Sequence, residues 1–183
     1  MKVKDVIIKA CDFVACDELE EKLRKGESLS EEDENLKNKL VKCFNLVREE
    51  IACEYQPILI AEKFEIKNFK LELKSFSNEV VEIYSIKDRY GRNVHYKIFD
   101  NYIFVCGKDV EVIYSTSPKQ LTFDDDFSAS LPERIFAYGV AREYFFLNNL
   151  YQDANIWEER FKGSLQIMLR QKSEVKIPRR SWL

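Results

Sequence analysis

The chain predicts an α+β protein: a four-helix core carrying an inserted antiparallel β-meander and ending in an extended C-terminal arm. Three observations predict it. Apolar residues recur at helical spacing near both ends, from Val3 to Ile51 and from Ile135 to Met168. Between Pro57 and Pro118 the pattern switches to period-two alternation broken by turns rich in Asp, Asn and Gly. Beyond Gln171 helical periodicity stops, and a basic, apolar stretch follows in which Pro178 forbids a continuous helix. These changes of texture divide the chain into N-terminal core helices (1–56), the β-insert (57–118), a closing helical hairpin (119–171) and the arm (172–183).

Composition bounds the answer. A chain of 183 residues suits one domain or a core with one elaboration. Hydrophobic content of 45% and aromatic content of 13% are those of a globular protein. The 29 basic and 32 acidic residues leave a net charge of −3, without the basic excess of a dedicated nucleic-acid binder. Cys11, Cys16, Cys43, Cys53 and Cys106 are dispersed and form no C-x-x-C pair, so reduced, mostly buried thiols in a cytosol-made protein are expected. Lys9 and Asp12 interrupt the apolar run that a signal peptide needs, although Val14-Ala15-Cys16 faintly resembles a lipoprotein box. No apolar run approaches membrane-spanning length, so a soluble protein is expected.

Residues 3–24 read as helix through the stripe Val3, Ile7, Ala10, Cys11 and Val14, with a break at Cys16-Asp17 where Asp17 can cap the second piece. Gly26 ends it. Ser30-Glu31-Glu32-Asp33 resembles a capping box with Asp at its fourth position, and opens a long helix with the seam Leu36, Leu40, Cys43, Phe44, Val47 and Ile51. Pro57 stops that helix. The acidic run Glu31–Glu34 is explained by its place at a helix N-terminus rather than by a metal.

Phe64–Ile66 and Phe69–Leu73 then alternate, as do residues 80–85, Val94–Ile98, Tyr102–Cys106 and Val110–Tyr114. Asp88-Arg-Tyr-Gly91, Asp100-Asn101 and Gly107-Lys108 supply turns. The reading is a meander of five or six strands with one wet face. Asp124-Asp125-Asp126 lies in the following loop; three carboxylates could take a divalent cation only with further ligands, and a solvated loop is the expectation.

The closing hairpin spans Ser130–Gln171. Ser128 or Ser130 is available as N-cap, with Pro132 in the first turn. Ile135, Phe136, Val140, Tyr144, Leu147 and Leu150 form its first seam, and Gly139 with Ala141 leaves a thin spot for close approach. Asn148-Asn149 and Gln152-Asp153 mark the break, with Asp153 as a candidate cap. Trp157, Phe161, Leu165 and Met168 form the second seam.

This hairpin carries a family resemblance. Leu131-Pro132-Glu133 leads into Phe136-Ala-Tyr-Gly-Val-Ala141, then Tyr151-Gln-Asp153, then Trp157-x3-Phe161. The order resembles the closing helices of the portal-adaptor (head–tail connector, or head-completion) proteins of tailed bacteriophages. Leu29-Ser-Glu-Glu and Leu36–Leu40 also resemble that family's step into its second helix, and the element order agrees over nearly the whole chain. The resemblance implies a non-enzymatic virion protein of the neck, assembled in the host cytoplasm. It implies a homo-oligomeric ring, typically of twelve copies, beneath the portal protein. Such a ring joins a downstream tail or neck protein, forms part of the DNA channel and lets DNA pass without sequence-specific binding. Another neck or tail assembly role, such as tail completion or termination, is the alternative, and a small cytosolic enzyme a more remote one.

Residue chemistry points the same way. The single histidine, His95, alternates away from Val94 and Tyr96 onto a polar surface, with no nucleophile turn nearby. Five glycines spell no phosphate-cradling loop, and one His with scattered Cys fails zinc spacing, so no cofactor or metal is expected. Carboxylates distant in sequence could still converge. Assembly demands surplus apolar surface, and Tyr138, Tyr144, Phe145, Phe146 and Tyr151 occupy more than one face of their helix. Either an interface or burial on both sides accounts for them.

Two contact elements are expected. In the arm, Ile177, Pro178, Arg179, Arg180, Trp182 and Leu183 combine extended backbone with anchors that dominate interfaces; the resemblance suggests portal or neighbour binding, against the plainer reading that the arm caps its own core. At the polar turn after Ile86, Arg89, Tyr90 and Arg92 are expected to meet the tail side.

Overall fold

The computed structural model describes residues 1–172, so the arm residues Ile177, Pro178, Arg179, Arg180, Trp182 and Leu183 lie outside the described residues. The protein is α+β. Among the described residues are five α-helices and two small antiparallel sheets. The chain divides into a helical unit, Met1–Arg48 with the chain from Gln120 onward, and a β-unit, Glu49–Lys119.

In the helical unit the N-terminal stretch is two helices, α1 (Val3–Phe13) and α2 (Asp17–Lys25), separated at the break expected around Cys16-Asp17. Ala15 between them adopts a positive φ of 55°. Asp17 does not cap α2 but is its first residue, where its charge still favours the helix terminus. Gly26, at φ 70°, closes α2 in the left-handed region that glycine enters without penalty. α3 (Glu31–Glu50) opens on the reciprocal cap that its sequence announces. Asp33 N–H donates to Ser30 Oγ at 3.2 Å, and Ser30 N–H donates to Asp33 Oδ2 at 3.1 Å. A π-helical turn, Ile51–Tyr55, ends the helix before Pro57.

α4 (Glu133–Leu147) begins after Pro132, which occupies the cap position rather than the first turn. Eight consecutive residues, Ile135–Arg142, are buried. A helix apolar all round in this way is enclosed on every side. Gly139 makes that enclosure possible. A Cβ placed there would lie 2.6 Å from a Val47 methyl of α3 and 3.1 Å from the Phe161 ring of α5. α4 ends in a Schellman turn with Asn149 (φ 59°) in place of glycine: Leu150 N–H donates to Phe145 O at 2.9 Å and Asn149 N–H to Phe146 O at 3.0 Å. α5 (Tyr151–Lys172) follows at once, so Asp153 sits in its first turn rather than capping it, and Lys172 belongs to the helix rather than to the arm.

Two aromatic clusters lock these helices. Phe13, Tyr138 and Trp157 meet with ring centroids 4.7–5.5 Å apart. Phe44, Phe127 and Phe136 meet at 5.1–6.0 Å. Asn45, buried on α3, holds the loop after the β-unit by pairing its amide with both Leu121 N–H and Leu121 O at 2.9 Å. Arg142, only 5% exposed, donates to Glu158 at 2.8 Å and to Glu143, and covers the Phe161 ring.

The β-unit holds β1 (Ile58–Glu65), β2 (Lys70–Glu72), β3 (Glu82–Asp88), β4 (Tyr96–Ile98), β5 (Tyr102–Val105) and β6 (Asp109–Thr116). The expected meander is not what forms. The strands make two three-stranded sheets, β1-β6-β3 and β2-β5-β4, and only β4–β5 joins sequence neighbours. Alternation tells which face a residue takes but not which strand lies beside it. Here the two eight-residue strands pair along their whole length, Ile58↔Thr116 to Glu65↔Asp109, across the entire unit. Tyr84 is the extra residue of a bulge in β3. Inward residues of both sheets, among them Leu71, Ile86, Ile103, Val105, Val112 and Tyr114, share one core. Within it the Tyr114 hydroxyl donates to Glu62 at 2.5 Å.

Candidate functional site

The sequence-named tip, Arg89, Tyr90 and Arg92, sits at the turn following β3, and one carboxylate shapes it. Asp88 Oδ1 accepts from Tyr90 N–H at 2.8 Å and from Arg92 N–H at 3.0 Å. Its Oδ2 accepts from Arg92 Nε at 2.8 Å. The Arg92 backbone N–H, joined by that guanidinium and the Tyr90 N–H, holds the Asp88 carboxyl below the usual carboxylate range. Gly91, at φ 77°, permits the reversal, with its N–H donating to Asp88 O at 2.9 Å.

The turn presents Tyr90 to solvent, 65% exposed, between two cations. The Arg89 guanidinium lies 4.7 Å and the Arg92 guanidinium 5.0 Å from its ring centre, and Arg89 also donates to the Tyr90 hydroxyl. Arg and Tyr are residue types that dominate interface energies, and here they contact one another on the exposed turn. Beside the tip, a groove of about 550 Å³ is lined by Lys63, Glu65, Asp109 and Glu111 together with Phe64 and Val110. Its charges are mixed, which suits a polar protein surface better than a uniformly anionic ligand.

A second surface lies at the α4–α5 turn. Phe146, Leu147, Leu150 and Tyr151 are all exposed, with the Phe146 and Tyr151 rings 6.2 Å apart. The structure thus divides the aromatic surplus. Tyr138 is core; Tyr144 and Phe145 are half-buried; Phe146 and Tyr151 face solvent. The sequence could not separate these, because the first half of α4 is enclosed and the second half is not, and helical period is the same in both.

The carboxylates of Glu65, Asp88, Asp109 and Glu111 line the groove beside the tip. His95 is exposed. Burial pushes the Cys11 and Cys43 thiols up to about 12, which keeps them protonated. Cys53 and Cys106 are exposed and Cys16 is intermediate, so the expectation of mostly buried thiols holds for only two of the five. Among the described residues no group of three His, Cys, Asp or Glu side chains is placed to hold a metal ion. Within the Asp124–Asp126 loop, Asp125 instead accepts from Thr122 N–H at 2.6 Å and Thr122 Oγ1 at 2.8 Å. No helix among the described residues is long and apolar enough to cross a membrane.

No family model matches this chain, and no curated protein matches it. One further group escaped the sequence reading: Phe69, Phe99, Tyr102 and Phe104 on the outer side of the second sheet. The signal was the pair of aromatics two residues apart, Tyr102 and Phe104, which alternation sends to one face.

Proposed function

We propose that the chain is a structural assembly subunit: a portal adaptor that forms a ring joining the portal of a tailed phage to its tail. In this reading the helical core carries the β-unit as an insert and the C-terminal arm as a tether. The observation that carries it is the apolar cluster Phe146, Leu147, Leu150 and Tyr151 at the α4–α5 turn. These side chains are held by a tightly hydrogen-bonded turn beside a core that is already filled. An exposed apolar patch on a rigid element is the surface that a protein partner covers. The Arg89–Tyr90–Arg92 tip is the contact for the next tail component, and Ile177, Pro178, Arg179, Arg180, Trp182 and Leu183 reach the portal or a neighbouring subunit.

The test is the mass of the full chain in solution, alone and mixed with portal, for the natural protein and for Leu147→Ser/Tyr151→Ser. The natural chain should form a ring alone or on the portal, and the variant should remain a folded monomer. A natural chain that stays monomeric with portal present overturns the adaptor reading. Rings that form equally well with the variant show that this turn is not the interface.

A further inference from the structure

We infer that the outer face of the β2-β5-β4 sheet binds single-stranded nucleic acid, stacking bases on a row of aromatic rings while flanking lysines meet the phosphates. The inference is independent of whether the chain builds a ring.

Alternation sets up the face. In β5, Ile103 and Val105 point into the core and are fully buried, so Tyr102 and Phe104 point outward. Two residues along one strand place them about 7 Å apart on the same side. Rings at both ends extend the row. Phe69 lies 6.0 Å from Phe104, and Phe99 stacks on Tyr102 at 4.8 Å with 14° between planes. Phe69 is 59% and Phe104 38% exposed.

Across the ladder Phe104 faces lysines, while Tyr102 faces Glu72. Phe104 pairs across the ladder with Lys70 on one side and Lys97 on the other. Lys70 Nζ sits 4.8 Å from the Tyr102 ring centre and Lys97 Nζ 5.3 Å from that of Phe99. Lys70 also contacts Glu72 at 3.3 Å, an exposed pair that exchanges readily for a phosphate. Protein–protein interfaces are depleted in lysine near their centres, whereas a sheet bearing aromatics with lysines beside them is the form that reads unpaired bases. Stacking also requires unpaired bases, because a duplex hides their faces.

The backbone adds an independent observation. Asn68 and Phe69 both have positive φ, 56° and 58°, in the turn closed by Lys70 N–H donating to Lys67 O at 3.2 Å. Asparagine tolerates that region, but a bulky Phe at positive φ is a strained outlier. Its ring is nevertheless turned out toward solvent beside Phe104, where folding gains little from it.

The experiment measures anisotropy of labelled oligomers of about a dozen nucleotides, one of thymidine and one of uridine, with the full chain at low salt. Both should bind and the duplex of equal length should not; a preference between the two oligomers would tell DNA from RNA. Phe104→Ala should weaken binding about 5- to 150-fold, the range of one base–aromatic stack. Phe104→Leu, which keeps the apolar bulk, should weaken it too. Lys70→Gln/Lys97→Gln should lower the slope of log affinity against log salt by about 1.4, two phosphates' worth. Absence of binding, equal binding by these folded variants, or equal affinity for duplex overturns the inference. So does a Phe104→Ala variant whose sedimentation changes while its oligomer binding does not, since the face would then dock protein.

Discussion

In the helical unit Phe13, Tyr138 and Trp157 meet ring to ring, as do Phe44, Phe127 and Phe136, whereas in the β-unit Phe69, Phe99, Tyr102 and Phe104 line a wet face. The two sets are alike in residue type and in mutual distance. They differ in what covers them. Rings enclosed by other elements contribute their buried area to stability, about 25 cal/mol for each Å² removed from water. Rings left half in water contribute much less, so their presence asks for another reason, and a partner supplies one. The contrast assigns cohesion to the enclosed rings and contact to the uncovered ones, and each unit holds both kinds: Tyr114 is buried in the β-unit and Tyr151 is exposed in the helical one.

The strongest way to break that contrast is to truncate one ring from each unit. Phe161 of α5 is fully buried and lies against Gly139 of α4. Phe161→Ala should cost about 3–5 kcal/mol, as other buried Phe truncations do. Phe104→Ala should stay within about 0.5 kcal/mol, the usual range for surface positions. Urea titration of both variants decides it, and comparable losses would show that the sheet face is part of a core after all.

A smaller effect sharpens the account of α4. Gly139→Ala gains up to about 1 kcal/mol of helix propensity but forces a methyl against Val47, a β-branched side chain with few alternative rotamers. Overpacking costs about 1–3 kcal/mol, so the variant should be less stable than the natural chain. Val47→Ala in the same chain should relieve part of the loss, and the two changes should therefore be less than additive in thermal melts. Simple additivity would show that α3 and α4 do not meet at this glycine.

How far the sequence could be read follows the same division. The helices were legible because their signals are local: the Ser30–Asp33 cap, Gly26, the Gly139 thin spot and the Asn148-Asn149 break each act within one turn of chain. Most strand positions after β1 were legible too, since alternation is local. Pairing was not. The Ile58↔Thr116 and Ile83↔Tyr114 partners lie far apart in sequence, and no period records them. Ile58–Lys63 escaped as strand because residues 58–61 are all apolar, and a continuous run does not alternate. The turn that carries Arg89, Tyr90 and Arg92 was legible from its turn residues. The Phe69–Phe104 face needed the pairing that places β2 beside β5.

Inside the β-unit, Tyr114→Phe isolates the hydroxyl pair in the shared core. The Tyr114 hydroxyl helps to hold the Glu62 carboxyl below its ordinary range, while burial raises Tyr114 itself. A hydrogen bond to a charged group contributes about 1.5–3 kcal/mol. Glu62 is half-buried and keeps Ser77 N–H at 3.2 Å, so about 1–2 kcal/mol is expected in urea titration. No loss would mean that β1 and β6 are held by ladder and packing alone.

The smallest predicted effect is a pH dependence at the α2–α3 junction, and it tests whether a charge or a hydrogen bond secures that corner. Asp33 accepts from Lys22 Nζ of α2 at 2.7 Å, and from Ser30 Oγ at 2.7 Å and Ser30 N–H at 3.1 Å. Lys22 first, then Ser30, pull its carboxyl down from 3.8 to about 2. The folded protein therefore binds fewer protons here than the unfolded chain between these two values, so stability from this site is complete above about pH 5 and is lost as pH falls toward 2. Asp33→Asn keeps an acceptor for Ser30 but loses the charge facing Lys22. Its urea midpoint should lie below that of the natural chain at neutral pH, and the gap should close as acid protonates the natural carboxylate. Added salt should narrow the gap as well, because the pair is only partly shielded from solvent. A gap that stays constant from neutral pH down to 2 would assign the corner to the geometry of the cap, with the lysine pair contributing nothing measurable.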